Sequence, residues 1–140
     1  MLYAQYDLNP GSTTYGQQVS TGTANNCGYY FVDWAYVPGG GSNLYAIGTS
    51  RQSTTDGNGY LMQFSMTTRN CTMLANLGQL YPSQNQAQVG ATYATADGYL
   101  YGSENYGGRI YRVRVTSAPY TAEFVANGTS ATSNDGARCV

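Results

Sequence analysis

The chain has no histidine and no lysine, and only 9% of its 140 residues are charged, against a usual ~25%. Each absence removes a chemistry. Without imidazole there is no Ser-His or Cys-His nucleophile pair, no histidine metal ligand and no histidine acid or base. Without a lysine amine there is no Schiff base, no phosphate-loop lysine and no Lys-Asn isopeptide. All six basic residues are Arg, the net charge is −1 and no basic run is longer than RIYRVR. That balance leaves no electrostatic footprint for nucleic acid or for an anionic membrane. Apolar runs stay far short of the ~20 residues that span a bilayer, and Met1 leads into an alternating segment, not the apolar core of a leader. The chain is therefore expected to be no enzyme, to need no cofactor or metal, and to insert in no membrane.

Two glycine-rich stretches fail as ligand loops. PGGGSN leads into a strand, whereas phosphate loops lead into a helix. DGNGY places Tyr60 where a calcium loop needs a further oxygen ligand. Both read as hairpin turns.

What is present is period-two alternation between Gly, Asn, Asp and Pro punctuation, with no convincing helix. The pattern predicts strands at Leu2–Leu8, Thr14–Val19, Tyr29–Val37, Leu44–Thr49, Tyr60–Met66, Thr72–Leu77, Val89–Thr95, Leu100–Ser103, Arg109–Val115 and Ala122–Ala126. Asp97-Gly98, Asp56-Gly57 and Gly107-Gly108 supply the turns between them. A hydrophobic share of 41% in 140 residues suits one domain with a modest core.

The segments also repeat. Tyr36 and Tyr93 lie 57 residues apart, Leu44-Tyr45 and Leu100-Tyr101 lie 56 apart, and Cys27 and Cys139 lie 112 apart, two such periods. About two and a half repeats of ~56 residues result, four strands each: a half repeat at 1–22, full repeats at 23–80 and 81–130, and the start of another at 131–140. Four short strands at this period are the signature of tandem antiparallel propeller-like blades. The expected fold class is therefore all-β.

The stretches ATYATADGYLYG, GGRIYRVRV and SNDGARC resemble a propeller-like repeat family of unknown function found in secreted fungal and some bacterial proteins. The resemblance covers Asn26 to Cys139 and implies a propeller-like fold and a secreted, extracellular or cell-wall location; it implies no activity.

Three cysteines, Cys27, Cys71 and Cys139, fit an oxidising compartment but cannot all pair within one chain. One must stay buried and free, pair with a cysteine outside this stretch, or bridge two copies. Sequons at Asn70-Cys71-Thr72 and Asn127-Gly128-Thr129 make Asn70 and Asn127 glycosylation candidates.

Fifteen tyrosines exceed what a small core needs, and tyrosine offers a flat apolar face with a polar tip. Tyr36, Tyr45, Tyr93 and Tyr101 recur at matching repeat positions and are expected to pack between blades. Tyr29, Tyr30, Tyr99 and Tyr106, near turns or strand ends, are the candidates for ligand contact. Glu104 in YGSENYGG is the most suggestive carboxylate, read first as a solvated turn residue. Arg112 and Arg114 should share one strand face, as a hydrogen-bonding stripe for sugar hydroxyls or as an edge-strand solubilising device.

Two functions follow. One is a non-catalytic, secreted or cell-surface recognition or adhesion module that binds glycan or a protein surface through turns at one end of the blades. The other is a structural extracellular protein that self-assembles into a ring or filament by head-to-tail repeat completion, as a homo-oligomer. Either way, protein recovered unreduced from a secretory host should contain oxidised cysteine; thiol titration finding three free thiols would contradict the compartment.

Overall fold

The computed structural model describes residues 1–25, 27–50, 57–81, 88–132 and 135. Cys139 and Asp56 lie outside them, as does nearly all of the closing SNDGARC stretch. Eleven strands and no helix occur among the described residues: β1 (Leu2–Tyr6), β2 (Gln18–Thr23), β3 (Tyr29–Tyr30), β4 (Ala35–Tyr36), β5 (Asn43–Ser50), β6 (Asn58–Ser65), β7 (Cys71–Gln79), β8 (Val89–Ala94), β9 (Tyr99–Glu104), β10 (Arg109–Arg114) and β11 (Ala122–Asn127). All pairings are antiparallel, so the chain is all-β. No helix among these residues is long and apolar enough to cross a membrane.

The strands form a two-stranded hairpin, β1-β2, a middle sheet and a last sheet ordered β11-β10-β9-β8. In the middle sheet, β5, β6 and β7 are consecutive neighbours, and β3 and β4 both pair with the free edge of β5. The long strand expected at Tyr29–Val37 is thus broken in two. Residues Phe31 to Trp34 leave the ladder because Trp34 packs on Phe31 at 4.5 Å and on Phe64 at 5.9 Å between ring centroids.

The hairpin differs from expectation too. Its second strand runs from Gln18 to Thr23, beyond the expected Thr14–Val19. Asp7 explains the shift: its carboxylate accepts from the Thr14 hydroxyl at 2.6 Å and the Asn9 amide at 2.9 Å. These bonds fold residues 7–17 into a compact loop and hold the Asp7 pKa below its ordinary value of 3.8, the Ser12 hydrogen bond being the largest cause.

The core lies between the middle and last sheets. Val37, Tyr45, Ile47, Leu61, Leu80 and Tyr81 come from one side, and Val89, Ala94, Leu100, Tyr111, Val113 and Val115 from the other. Alternation decides membership, since inward residues Leu100 and Val113 are direct partners across β9 and β10 while outward residues Tyr99 and Arg114 pair one rung away. Approach between the sheets is close: a Cβ on Gly102 would lie 3.0 Å from Ile47 Cδ1 of the middle sheet. Two polar bonds cross the same gap. The buried Tyr111 hydroxyl donates to the Leu80 carbonyl at 2.7 Å. The Thr92 amide, on the edge strand β8, donates to the Asp33 carboxylate at 2.7 Å, which meets an otherwise unpaired edge donor.

Of the four tyrosines expected in packing, Tyr45 is 2% exposed and sits in the core, but Tyr36 is 48% exposed. The ladders give the reason. Ala35 lies opposite Tyr45, and Tyr93 lies opposite Tyr101. Ala35 and not Tyr36 is therefore the structural counterpart of Tyr93. Ala35 lies 58 residues before Tyr93 and Tyr36 lies 57 before it; that one-residue slip turns a side chain to the opposite face. Tyr93 and Tyr101 are half-buried and stack on each other on the outward face of the last sheet, with centroids 5.3 Å apart and planes at 8°.

Stability measurements should separate these positions. Tyr45→Ala should cost about 3–5 kcal/mol, as for a large buried side chain, and Tyr36→Ala within about 0.5 kcal/mol of neutral. Tyr111→Phe should cost about 1–3 kcal/mol by leaving the Leu80 carbonyl unpaired. Equal losses by denaturant titration at Tyr36 and Tyr45 would contradict the assignment of faces.

Candidate functional site

The residues singled out from the sequence fall into two places. Tyr29, Tyr30, Glu104 and Tyr106 lie at one end of the sheets; Tyr99, Arg112 and Arg114 lie together on the outward face of the last sheet.

At the first place, β9 ends in the buried residues Glu104 and Asn105 and turns through the exposed Tyr106 into Gly107 and Gly108. Glu104 is 1% exposed, so it is no solvated turn residue and its carboxylate is not offered to a ligand. One oxygen accepts from the Tyr106 amide at 2.7 Å and the other from the Gly107 amide at 2.5 Å. These charge-assisted bonds shape the turn. A Cβ on Gly107 would lie 2.6 Å from Glu104 Oε2, so the turn needs glycine there. Beneath it lies Tyr81, whose phenol is pushed above its ordinary range first by burial and then by the charge of Glu104.

Neighbouring segments lock onto this turn. The Asn105 amide donates to the Gln88 carbonyl at 2.9 Å, and the Asn105 carbonyl accepts from the Ala131 amide at 2.7 Å. The side chain of Gln88 in turn donates to the Tyr30 hydroxyl at 3.3 Å. Gln88 therefore joins Tyr30, in the middle sheet, to Asn105, whose neighbour Tyr106 stands in the turn after β9; Tyr30 and Tyr106 are both exposed, at 45% and 44%. Beside Tyr106, with Ser130, Ala131 and Thr132, opens a shallow cavity of about 210 Å³. Tyr29 is the exception at this end: half-buried, it packs on Tyr60 at 4.7 Å and serves the fold.

At the second place, one rung crosses all four strands of the last sheet. Tyr93 lies opposite Tyr101, Tyr101 opposite Arg112, and Arg112 opposite Glu123. Arg112 donates through Nε to Glu123 at 2.8 Å, and its guanidinium lies 4.6 Å above the Tyr99 ring. Arg114 lies 5.4 Å over the same ring. Hydrogen bonding to Tyr101 first, and then to Glu123, holds the Arg112 guanidinium above its ordinary range. Both ion-pair partners are partly exposed, so the pair adds little stability; its effect is to fix the orientation of the stripe. The sequence placed the two arginines on one face but could not supply Tyr93, Tyr101 and Glu123, which register alone brings beside them.

Cys27 and Cys71 are joined in a disulfide, tying the segment before β3 to the start of β7. Both sequon asparagines, Asn70 and Asn127, are exposed; the side-chain oxygen of Asn70 accepts from Asn25 at 3.0 Å. Among the described residues there is no group of three or more Cys, Asp or Glu placed to hold a metal ion.

A family model described as "Repeat of unknown function (DUF6923)" matches residues 3–140. No curated protein and no solved structure matches the chain.

The structural part assigned to Glu104 is open to test. Glu104→Gln leaves one oxygen for two amide donors, and should lower stability by about 1.5–3 kcal/mol, the range for a hydrogen bond to a charged group. A melting temperature unchanged by Glu104→Gln would contradict it.

Proposed function

The chain belongs to a family of repeats of unknown function, and on that footing we propose that it is a non-catalytic recognition module, built of propeller-like blades, that binds glycan at one end of its sheets. The observation that carries this reading is that Gln88 joins Tyr30 to Asn105, the neighbour of Tyr106, so that two exposed tyrosines stand at a shared end, beside the cavity lined by Tyr106, Ser130, Ala131 and Thr132. Tyrosine loses only two side-chain torsions on binding and offers an apolar face with a polar tip, a pairing suited to the alternating apolar and hydroxyl faces of a sugar ring. The turn beneath Tyr106 is held by two bonds to a buried carboxylate and by bonds to two other segments. A contact surface held in place in this way loses little entropy on binding.

Propeller-like build is supported by the stacking of consecutive antiparallel meanders face to face. A secreted or cell-surface location is supported by the disulfide, as well as by the exposure of both sequon asparagines.

Saturable binding to one class on an array of neutral and acidic oligosaccharides is the expected result. Tyr30→Ala and Tyr106→Ala should each weaken it about tenfold while leaving the melting temperature nearly unchanged. Binding indifferent to both substitutions, or none across the array, would overturn the reading.

A further inference from the structure

The outward face of the last sheet repeats, rung for rung, a face that elsewhere in the same chain is an interface. In the middle sheet Tyr45 lies opposite Gln63, and Ile47 opposite Leu61; in the last sheet Tyr101 lies opposite Arg112, and Ser103 opposite Ile110. Chemistry recurs as well as position: Gln63 donates to the Tyr45 hydroxyl at 3.0 Å, and Arg112, a nitrogen donor like Gln63, lies directly opposite the phenol of Tyr101. Yet Tyr45, Ile47 and Leu61 are buried beneath the last sheet, whereas Tyr101, Ser103, Ile110 and Arg112 are only half-buried. The first set shows what the second is shaped to do.

A surface of complementary need lies on the same chain. The β1-β2 hairpin carries Leu2 at 84% exposure, Leu8 at 75% and Tyr6 at 55%. Leu2 and Tyr6 stand on one side of β1, with Ala4 between them. A two-stranded hairpin is marginal in water unless a further layer covers it. Its only charged side chain is Asp7, which suits a face bearing Arg112 and Arg114.

We propose that the outward face of the last sheet docks the β1-β2 hairpin of a second copy of this chain, extending the stack of sheets head to tail. The contact is heterologous, with different surfaces of the two copies meeting, so it closes into a ring or propagates according to its rotation. It uses a surface separate from the end that holds Tyr30 and Tyr106, so glycan binding and self-association can fail independently.

Sedimentation velocity over a concentration series tests it. Wild-type protein should show association that rises with concentration. Ile110→Asp, on the face, and Leu2→Asp, on the hairpin, should each raise the midpoint of association at least tenfold with unchanged circular dichroism. The decisive arm is a mixture of the two variants. Each retains the surface that the other lacks, so the mixture should form a 1:1 dimer that grows no further. A monomer at every concentration overturns the proposal, as does association lost in Ile110→Asp but intact in Leu2→Asp, which would mean face-to-face pairing. Ligand binding by monomeric protein that Ile110→Asp abolishes would likewise overturn it, giving the face to a ligand.

Discussion

Everything else in this molecule depends on the contact between one face of the middle sheet and the inward face of the last. Among the described residues neither sheet is covered by a helix, so the shared core forms only where the two faces bury each other. Ile47 and Leu61 supply one wall of that contact and Leu100 and Val113 the other. Gly102 lets the walls approach, and the Tyr111–Leu80 and Thr92–Asp33 bonds fix their relative position. Position matters for the proposed site, because the sheets must be held in one register for Gln88 to join Tyr30 on one to Asn105 on the other.

Period-two alternation made the all-β class and most strand locations legible, because burial on one face per strand writes itself into the sequence. Repetition was legible for the same reason, and the family match identifies the chain as a repeat. The 57-residue spacing of Tyr36 and Tyr93 was visible too, but not that the β4–β5 connection is two residues longer than the β8–β9 one. Only the ladders show that Ala35 pairs where Tyr93 pairs, so that Tyr36 faces the other way. Breaking of the first middle strand depends on aromatic contacts of Trp34 with residues at other positions in the fold, which no local pattern announces.

Sites were less legible than strands. Glu104 follows a strand and precedes glycines, which reads as a solvated turn; its burial comes from Gln88 and Ala131 binding the next residue and from the core beneath. Pairing of Cys27 with Cys71 joins two residues that the repeat period does not relate. Arg112 and Arg114 were readable as one stripe by their spacing, whereas the stacked Tyr93 and Tyr101 beside them read as packing between blades. The repeat position that places Tyr45 beneath the last sheet places Tyr101 on that sheet's outward face.

Native-state hydrogen exchange tests the central contact most directly, since it reads the free energy of opening segment by segment. If the two sheets are one cooperative unit, amides of β5 and β6 and those of β9 and β10 should share a single opening free energy, with β1 and β2 exchanging much faster. Separate opening free energies for the two sheets would contradict the account.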